Sequence, residues 1–208
     1  MTRTRTRVKI CGLTRSGDVR AAVQAGADAL GFVFTNRSRR VVDTVLAADL
    51  VAQVPAFVSR VGLFMDQDSE DVARVLDQVP LNLLQFHGGE DADYCRQFGM
   101  PYIKAVSMAS DHAVARAVVE YSDAAALLLD SHPPGGAGGT GSVFDWAMIP
   151  RVSLPLVPAG GLRPDNVRQA IEQVKPWAVD VSSGVEDSPG IKNEDMMVEF
   201  IKEAKREY

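Results

Sequence analysis

Two side chains have the types and settings that acid–base chemistry on a small molecule needs. Cys11 ends the run Val-Lys-Ile-Cys and precedes Gly12, and Asp130 closes the run Ala-Ala-Ala-Leu-Leu-Leu. A cysteine thiolate can take a proton from carbon when nearby positive charge or oriented dipoles favour its ionised form. A carboxylic acid after so apolar a run is partly desolvated, which favours its protonated form and suits a general acid. Each residue also has a plain structural reading, as a buried small hydrophobe for Cys11 and a turn aspartate for Asp130. A base and an acid on opposite sides of one sugar are what an isomerase needs. Cys95 falls inside a helical pattern and reads as packing.

Around this pair lie groups suited to an anionic ligand. Gly160-Gly161 and Ser183-Gly184 are small-residue turns whose backbone N–H groups can approach a phosphate closely, or are simply tight connections. Arg37, Arg39 and Arg40 form a basic cluster, and a guanidinium binds a carboxylate through two parallel hydrogen bonds. Arg40 and Arg39 are the carboxylate candidates, a solvated loop being the alternative. His87, with Gln85 two residues before it, reads as substrate-orienting or structural. His112 and His132 have no ligand spacing to His87, so no metal site is expected. The spacing GxGxxG occurs at Gly136, Gly138 and Gly141, but no helix pattern starts at once after it, so no dinucleotide site is expected.

The elements that must position these residues alternate along the chain. Eight β-rich apolar runs cover 8–11, 28–34, 59–64, 81–86, 102–106, 124–130, 154–159 and 178–182. Nearly continuous apolar character fits strands covered on both faces. Helical patterns lie between them: 18–25 closed by Gly26, a helix opened by Ser69, 90–98 before Gly99, 111–121, one led by Pro164, and 193–208. The second and sixth helices are less clear. Seven intervals separate the first and last strand ends, with a mean period of about 24 residues, short but workable for a (β/α)8 barrel. An open doubly wound sheet alternates in the same way. Eight unbroken units favour the closed α/β barrel, one domain over residues 1–208 with residues 1–6 a frayed extension. The stretch 133–142 reads as a mobile loop after strand six. In a barrel the strands' C-terminal ends carry the chemistry, and Cys11, Gln85, His87, Asp130, Gly160 and Ser183 all fall there.

The counts narrow the partners. The chain has 208 residues, with 22 Lys and Arg against 27 Asp and Glu, so 22 − 27 gives −5. That balance argues against nucleic acid as a partner and leaves a small phosphorylated ligand open. Two cysteines make no disulfide framework, no apolar run has membrane or signal-peptide length, and a cytoplasmic monomer or homodimer is expected.

The ordered set of motifs resembles the phosphoribosylanthranilate isomerase family of tryptophan biosynthesis. It runs from Lys9-Ile10-Cys11-Gly12-Leu13-Thr14 through Gly31-Phe32-Val33-Phe34, Ser38-Arg39-Arg40-Val41, Val61-Gly62-Leu63-Phe64 and Leu84-Gln85-Phe86-His87-Gly88 with Glu90. It continues with Leu129-Asp130-Ser131, Gly138-Gly139-Thr140-Gly141, Ala159-Gly160-Gly161-Leu162 and Asp180-Val181-Ser182-Ser183-Gly184-Val185-Glu186. The resemblance implies a (β/α)8 barrel without cofactor or metal. It implies an Amadori rearrangement of N-(5′-phosphoribosyl)anthranilate to the 1-deoxyribulose product. Cys11 would be the general base, Asp130 the general acid and Arg40 the partner of the anthranilate carboxylate, with the phosphate on the last two glycine turns. Arg39 stands where the family usually has proline, Asp66 where it usually has asparagine, and Asn193 where aspartate is common. Two other readings are a sister phosphosugar aminoaldose isomerase and a non-catalytic barrel binding a phosphoribosyl ligand. The first is expected to carry paired aspartates at the ends of strands one and five, where this chain has Cys11 and no carboxylate.

Overall fold

The computed structural model describes residues 5–108, 112–130, 146 and 149–206. Eight parallel strands follow one another: β1 (Arg7–Cys11), β2 (Ala29–Val33), β3 (Ser59–Phe64), β4 (Leu83–Phe86), β5 (Tyr102–Ser107), β6 (Ala126–Asp130), β7 (Leu156–Pro158) and β8 (Ala178–Val181). They keep chain order in space, and β8 pairs with β1, Lys9 lying opposite Asp180. The edges β7 and β8 meet through a 3.1 Å hydrogen bond from the Trp177 N–H to the Leu156 carbonyl. The sheet is therefore a nearly closed barrel, the architecture that eight unbroken units favoured.

Helices α1 (Ser16–Ala25), α2 (Thr44–Val51), α3 (Ser69–Gln78), α4 (Ala92–Arg96), α5 (Ala113–Glu120), α6 (Val167–Val174) and α7 (Glu194–Lys205) intervene along the chain. A short antiparallel pair, β9 (Glu186–Ser188) and β10 (Ile191–Lys192), separates β8 from α7. The strands read as continuously apolar because both of their faces are buried. Ile103, Ala126, Leu128, Val157 and Ala159 form one cluster. The alternate strand residues Ile10, Leu30, Phe86, Leu127 and Leu129 join a larger cluster with helix residues such as Val19, Leu50, Val72 and Phe200. The two sets are the barrel's interior and the layer between barrel and helices. Phe34, Phe64, Phe86 and Phe98 stack through that outer layer at centroid spacings of 5.3, 6.2 and 5.8 Å.

Helix ends follow local capping chemistry. Gly26 closes α1 at φ 93°, the left-handed conformation glycine adopts without cost. The less clear second helix is anchored by Asp43, whose carboxylate accepts from the Leu46 N–H at 2.8 Å. The expected capping serine moves by one place: Asp68 is the N-cap and Ser69 the first helical residue. The expected helix at 90–98 shortens to Ala92–Arg96, because Asp91 caps it and Glu90 is buried and engaged elsewhere. Pro164 lies in the turn before α6. Asn193 caps α7 by accepting from the Met196 N–H at 2.9 Å. The glycine-dense loop at 133–142 and most of the segment between β6 and β7, where the less clear helix was expected, lie outside the described residues, as do residues 1–4. Arg5 pairs with Asp28 at 2.5 Å and Thr6 is buried.

Candidate active site

A cavity of about 610 Å³ opens at the C-terminal ends of the strands, and all ten site residues singled out above line it. That volume suits one small ligand.

Cys11 ends β1 at the cavity floor, 4% exposed. It fits because β2 offers Gly31 opposite, where a Cβ would stand 2.8 Å from its Sγ and 3.1 Å from Lys9 Nζ. Lys9 Nζ in turn bonds Asp180 Oδ1 at 2.7 Å, both side chains buried. Burial pushes the Cys11 thiol up, the Lys9 charge works against that, and Asp180 works with it. Burial alone would lower the Lys9 ammonium, but Asp180 and Cys11 outweigh it and keep the group cationic.

Asp130, 8% exposed, ends β6, and its Oδ2 lies 3.1 Å from His87 Nε2. Gln85 Nε2 lies 3.1 Å from His87 Nδ1. Gln85 is wholly buried where it lines the cavity, with its amide nitrogen against His87. Its partner His87 sits just past β4 in a loop held by Glu90. The Glu90 carboxylate accepts from the Asp66 N–H and the Gly88 N–H, each at 2.9 Å, and pairs with Lys104 at 3.1 Å. Nothing in the sequence pattern marked Lys104, which reads as a strand residue.

Arg40 is half-buried and forked onto Glu186, Nε to Oε1 at 2.8 Å and Nη2 to Oε2 at 2.6 Å. Lys192 Nζ reaches the same carboxylate at 2.7 Å and the Ser182 carbonyl at 3.0 Å. Burial pushes the Glu186 carboxyl up, but Arg40 and Lys192 outweigh it and hold it below the usual carboxylate range. Two of the five guanidinium N–H groups of Arg40 are thus engaged, leaving its Nη1 edge for a ligand. Arg39 is exposed and makes no side-chain hydrogen bond or ion pair among the described residues. Asp66 lies at φ 53°, a left-handed position that asparagine and aspartate tolerate best, which accounts for an Asn-to-Asp exchange there. Its charge is met by Arg37 Nη1 at 2.7 Å and the Gly89 N–H at 2.6 Å.

The far end of the cavity is backbone. Gly160 and Gly161 are both left-handed, at φ 69° and 68°. A side chain on Gly184 would overlap the Leu162 carbonyl oxygen, so the turns after β7 and β8 press against each other. No hydrogen bond among the described residues takes the N–H of Gly160 or Gly161. Backbone N–H groups in glycine turns that line a cavity suit a phosphate dianion.

Comparisons with known proteins agree on one family. Residues 8–203 match the family model for N-(5′phosphoribosyl)anthranilate (PRA) isomerase. An N-(5′-phosphoribosyl)anthranilate isomerase of Acidithiobacillus ferrooxidans is 50% identical over 195 residues, 94% of this chain and 95% of the relative. The crystal structure of phosphoribosyl anthranilate isomerase from Thermotoga maritima superposes with a TM-score of 0.87 at 41% identity, covering 96% of this chain and 98% of that one. A further solved structure is that enzyme in complex with reduced 1-(o-carboxyphenylamino)-1-deoxyribulose 5-phosphate. It has a TM-score of 0.83 and 39% identity, covering 96% of this chain and 98% of that one.

Proposed function

The chain belongs to the N-(5′-phosphoribosyl)anthranilate isomerase family and isomerises that substrate in tryptophan biosynthesis, and on that premise we propose that Cys11 and Asp130 are its general base and general acid. The observation that carries this reading is their placement. The thiol of β1 and the carboxyl of β6 line one cavity whose wall also includes Gly160, Gly161, Ser183 and Gly184.

Asp130 gives its proton to the furanose ring oxygen, the C1–oxygen bond breaks, and the anthranilate nitrogen's lone pair makes an iminium. The iminium acidifies the C2 proton, and Cys11 as thiolate removes it, leaving an enolamine that tautomerises to the 1-deoxyribulose. The cation formed at C1 offsets the burial that disfavours a Cys11 thiolate, so the ionised thiolate is most favoured once the ring has opened. The substrate phosphate takes the N–H groups of Gly160, Gly161, Ser183 and Gly184. Arg40, fixed by Glu186, offers its remaining edge to the anthranilate carboxylate, with Arg39 at the rim. The described residues contain no helix long and apolar enough to cross a membrane. We place the protein, as a single catalytic domain, in the cytoplasm, where its thiols stay reduced.

Cys11→Ala and Asp130→Asn test the roles. Each is expected to lose roughly 10² to 10⁴-fold in kcat while keeping the wild-type circular dichroism. Near-wild-type turnover in either variant removes that residue from its role.

A further inference from the structure

Gln85 is an unusual residue to find at the floor of an active site. It is wholly buried, yet its Oε1 has no hydrogen-bond partner. Its Nε2, by contrast, is aimed at His87 Nδ1 at 3.1 Å. A buried amide kept with one end unused is kept for the other end. Only that other end does anything here, and it is a donor.

A donor at Nδ1 makes Nδ1 an acceptor, and in a neutral imidazole that leaves the hydrogen on Nε2. His87 Nε2 faces Asp130 Oδ2 at 3.1 Å, so the histidine donates to that oxygen. In the opposite tautomer, Nε2 would present a lone pair to Asp130. That lone pair would draw the acid's proton to Oδ2 and hold it between the two side chains, away from substrate. We propose that Gln85 is a positioning residue that fixes His87 in its Nε2–H tautomer, so that Oδ2 of Asp130 is always an acceptor and the acid's transferable proton resides on Oδ1. The same Nε2–H bond strengthens as Asp130 becomes a carboxylate, so it assists the transfer as charge develops.

The charged groups of the surrounding strands are already committed. Asp66 after β3 is bound to Arg37 and the Gly89 N–H. Lys104 of β5 is held by Glu90 and the Gly88 carbonyl. Lys9 of β1 is paired with Asp180 of β8, beside Cys11. None of these hydrogen-bonds His87, and among the described residues Gln85 is the group that meets its Nδ1.

The proposal rests on the reading of Asp130 as general acid, and the test separates the two. Nitrogen NMR of ¹⁵N-histidine-labelled protein resolves protonated from unprotonated ring nitrogens, and the chain has three histidines, so His87→Asn identifies the signals of His87. In the wild type, Nε2 is expected protonated and Nδ1 not. Gln85→Glu puts an acceptor of equal size at Nδ1 and is expected to reverse that pattern and lower kcat at least tenfold, with a smaller change in KM. Gln85→Met has no donor and is expected to mix the tautomers and to extend the kcat–pH profile on its alkaline side, because losing the Nε2–H bond disfavours the Asp130 carboxylate. A side chain that merely fills space would leave the nitrogen pattern and the pH profile in place. Protonated Nδ1 in the wild type, or wild-type kcat in Gln85→Glu, overturns the proposal. Retained turnover in Asp130→Asn would instead overturn the acid assignment, whatever the tautomer.

Discussion

Gly184→Ala is a methyl-sized test of the phosphate site. The added Cβ would overlap the Leu162 carbonyl oxygen and lie 2.9 Å from its carbonyl carbon, and Arg163 Cγ stands 3.1 Å away. The obstacle is backbone, so no side-chain rotation relieves it. The turns after β7 and β8 must part by an amount on the order of 1 Å, a displacement that can cost about 10²-fold when it misplaces a substrate. Parting them removes at least one charge-assisted contact to the phosphate, worth about 1.5–3 kcal/mol, or roughly ten- to a hundredfold in kcat/KM. Most of the loss belongs in KM, because the phosphate is bound throughout the reaction. Overpacking should also lower stability by about 1–3 kcal/mol. Anthranilate fluorescence gives kcat and KM, competition by inorganic phosphate gives the anion's own affinity, and urea unfolding gives the stability. A folded variant with unchanged KM and unchanged phosphate inhibition would refute the assignment of these turns to the phosphate.

Other perturbations reach the two ends of the ligand. Because burial raises the Cys11 thiol, its alkylation by iodoacetamide should be slow at neutral pH and climb only above the ordinary thiol value of about 8.5. Lys9→Met removes the charge that favours the thiolate and should slow alkylation further at each pH, read by mass spectrometry of the Cys11 peptide. Cys95, pushed by burial to about 12, serves as an internal control. Half-maximal alkylation of Cys11 near pH 7 would contradict the burial argument. Arg40→Lys loses the fork that Glu186 orients and should raise KM about ten- to a hundredfold, whereas Arg39→Ala at the exposed rim should change it less than about threefold. The reverse order would make Arg39 the carboxylate partner.

The barrel was legible because its strands bury both faces, so continuous apolar runs stood out from amphipathic helices such as α6 and α7. The cavity's residues were legible because they sit at strand ends beside glycines. What escaped was pairing across the chain. Lys9 and Asp180 are separated by 171 positions and meet only because β8 closes onto β1. Arg40 and Glu186, 146 positions apart, meet because the turn after β8 folds back over the mouth. Glu90 looked like the first acid of a helix, yet its side chain ties two loops together from within. Gln85 read as a ligand contact from its place at a strand end, and its side chain turns out to be buried against His87. A linear pattern gives the face on which a residue lies but not its depth below the surface.

The meeting of β7 and β8 has a consequence for how the protein breathes. Neighbouring strands elsewhere in the barrel share paired registers, whereas these two edges are joined at Trp177 and Leu156. Amide hydrogens flanking that seam should exchange with solvent at a lower free-energy cost than those of β2 to β5. The glycine turns we assign to the phosphate emerge on either side of the same seam. A bound phosphosugar therefore laces the two edges together, and its affinity reappears as slower exchange and a higher melting temperature, centred on β7 and β8.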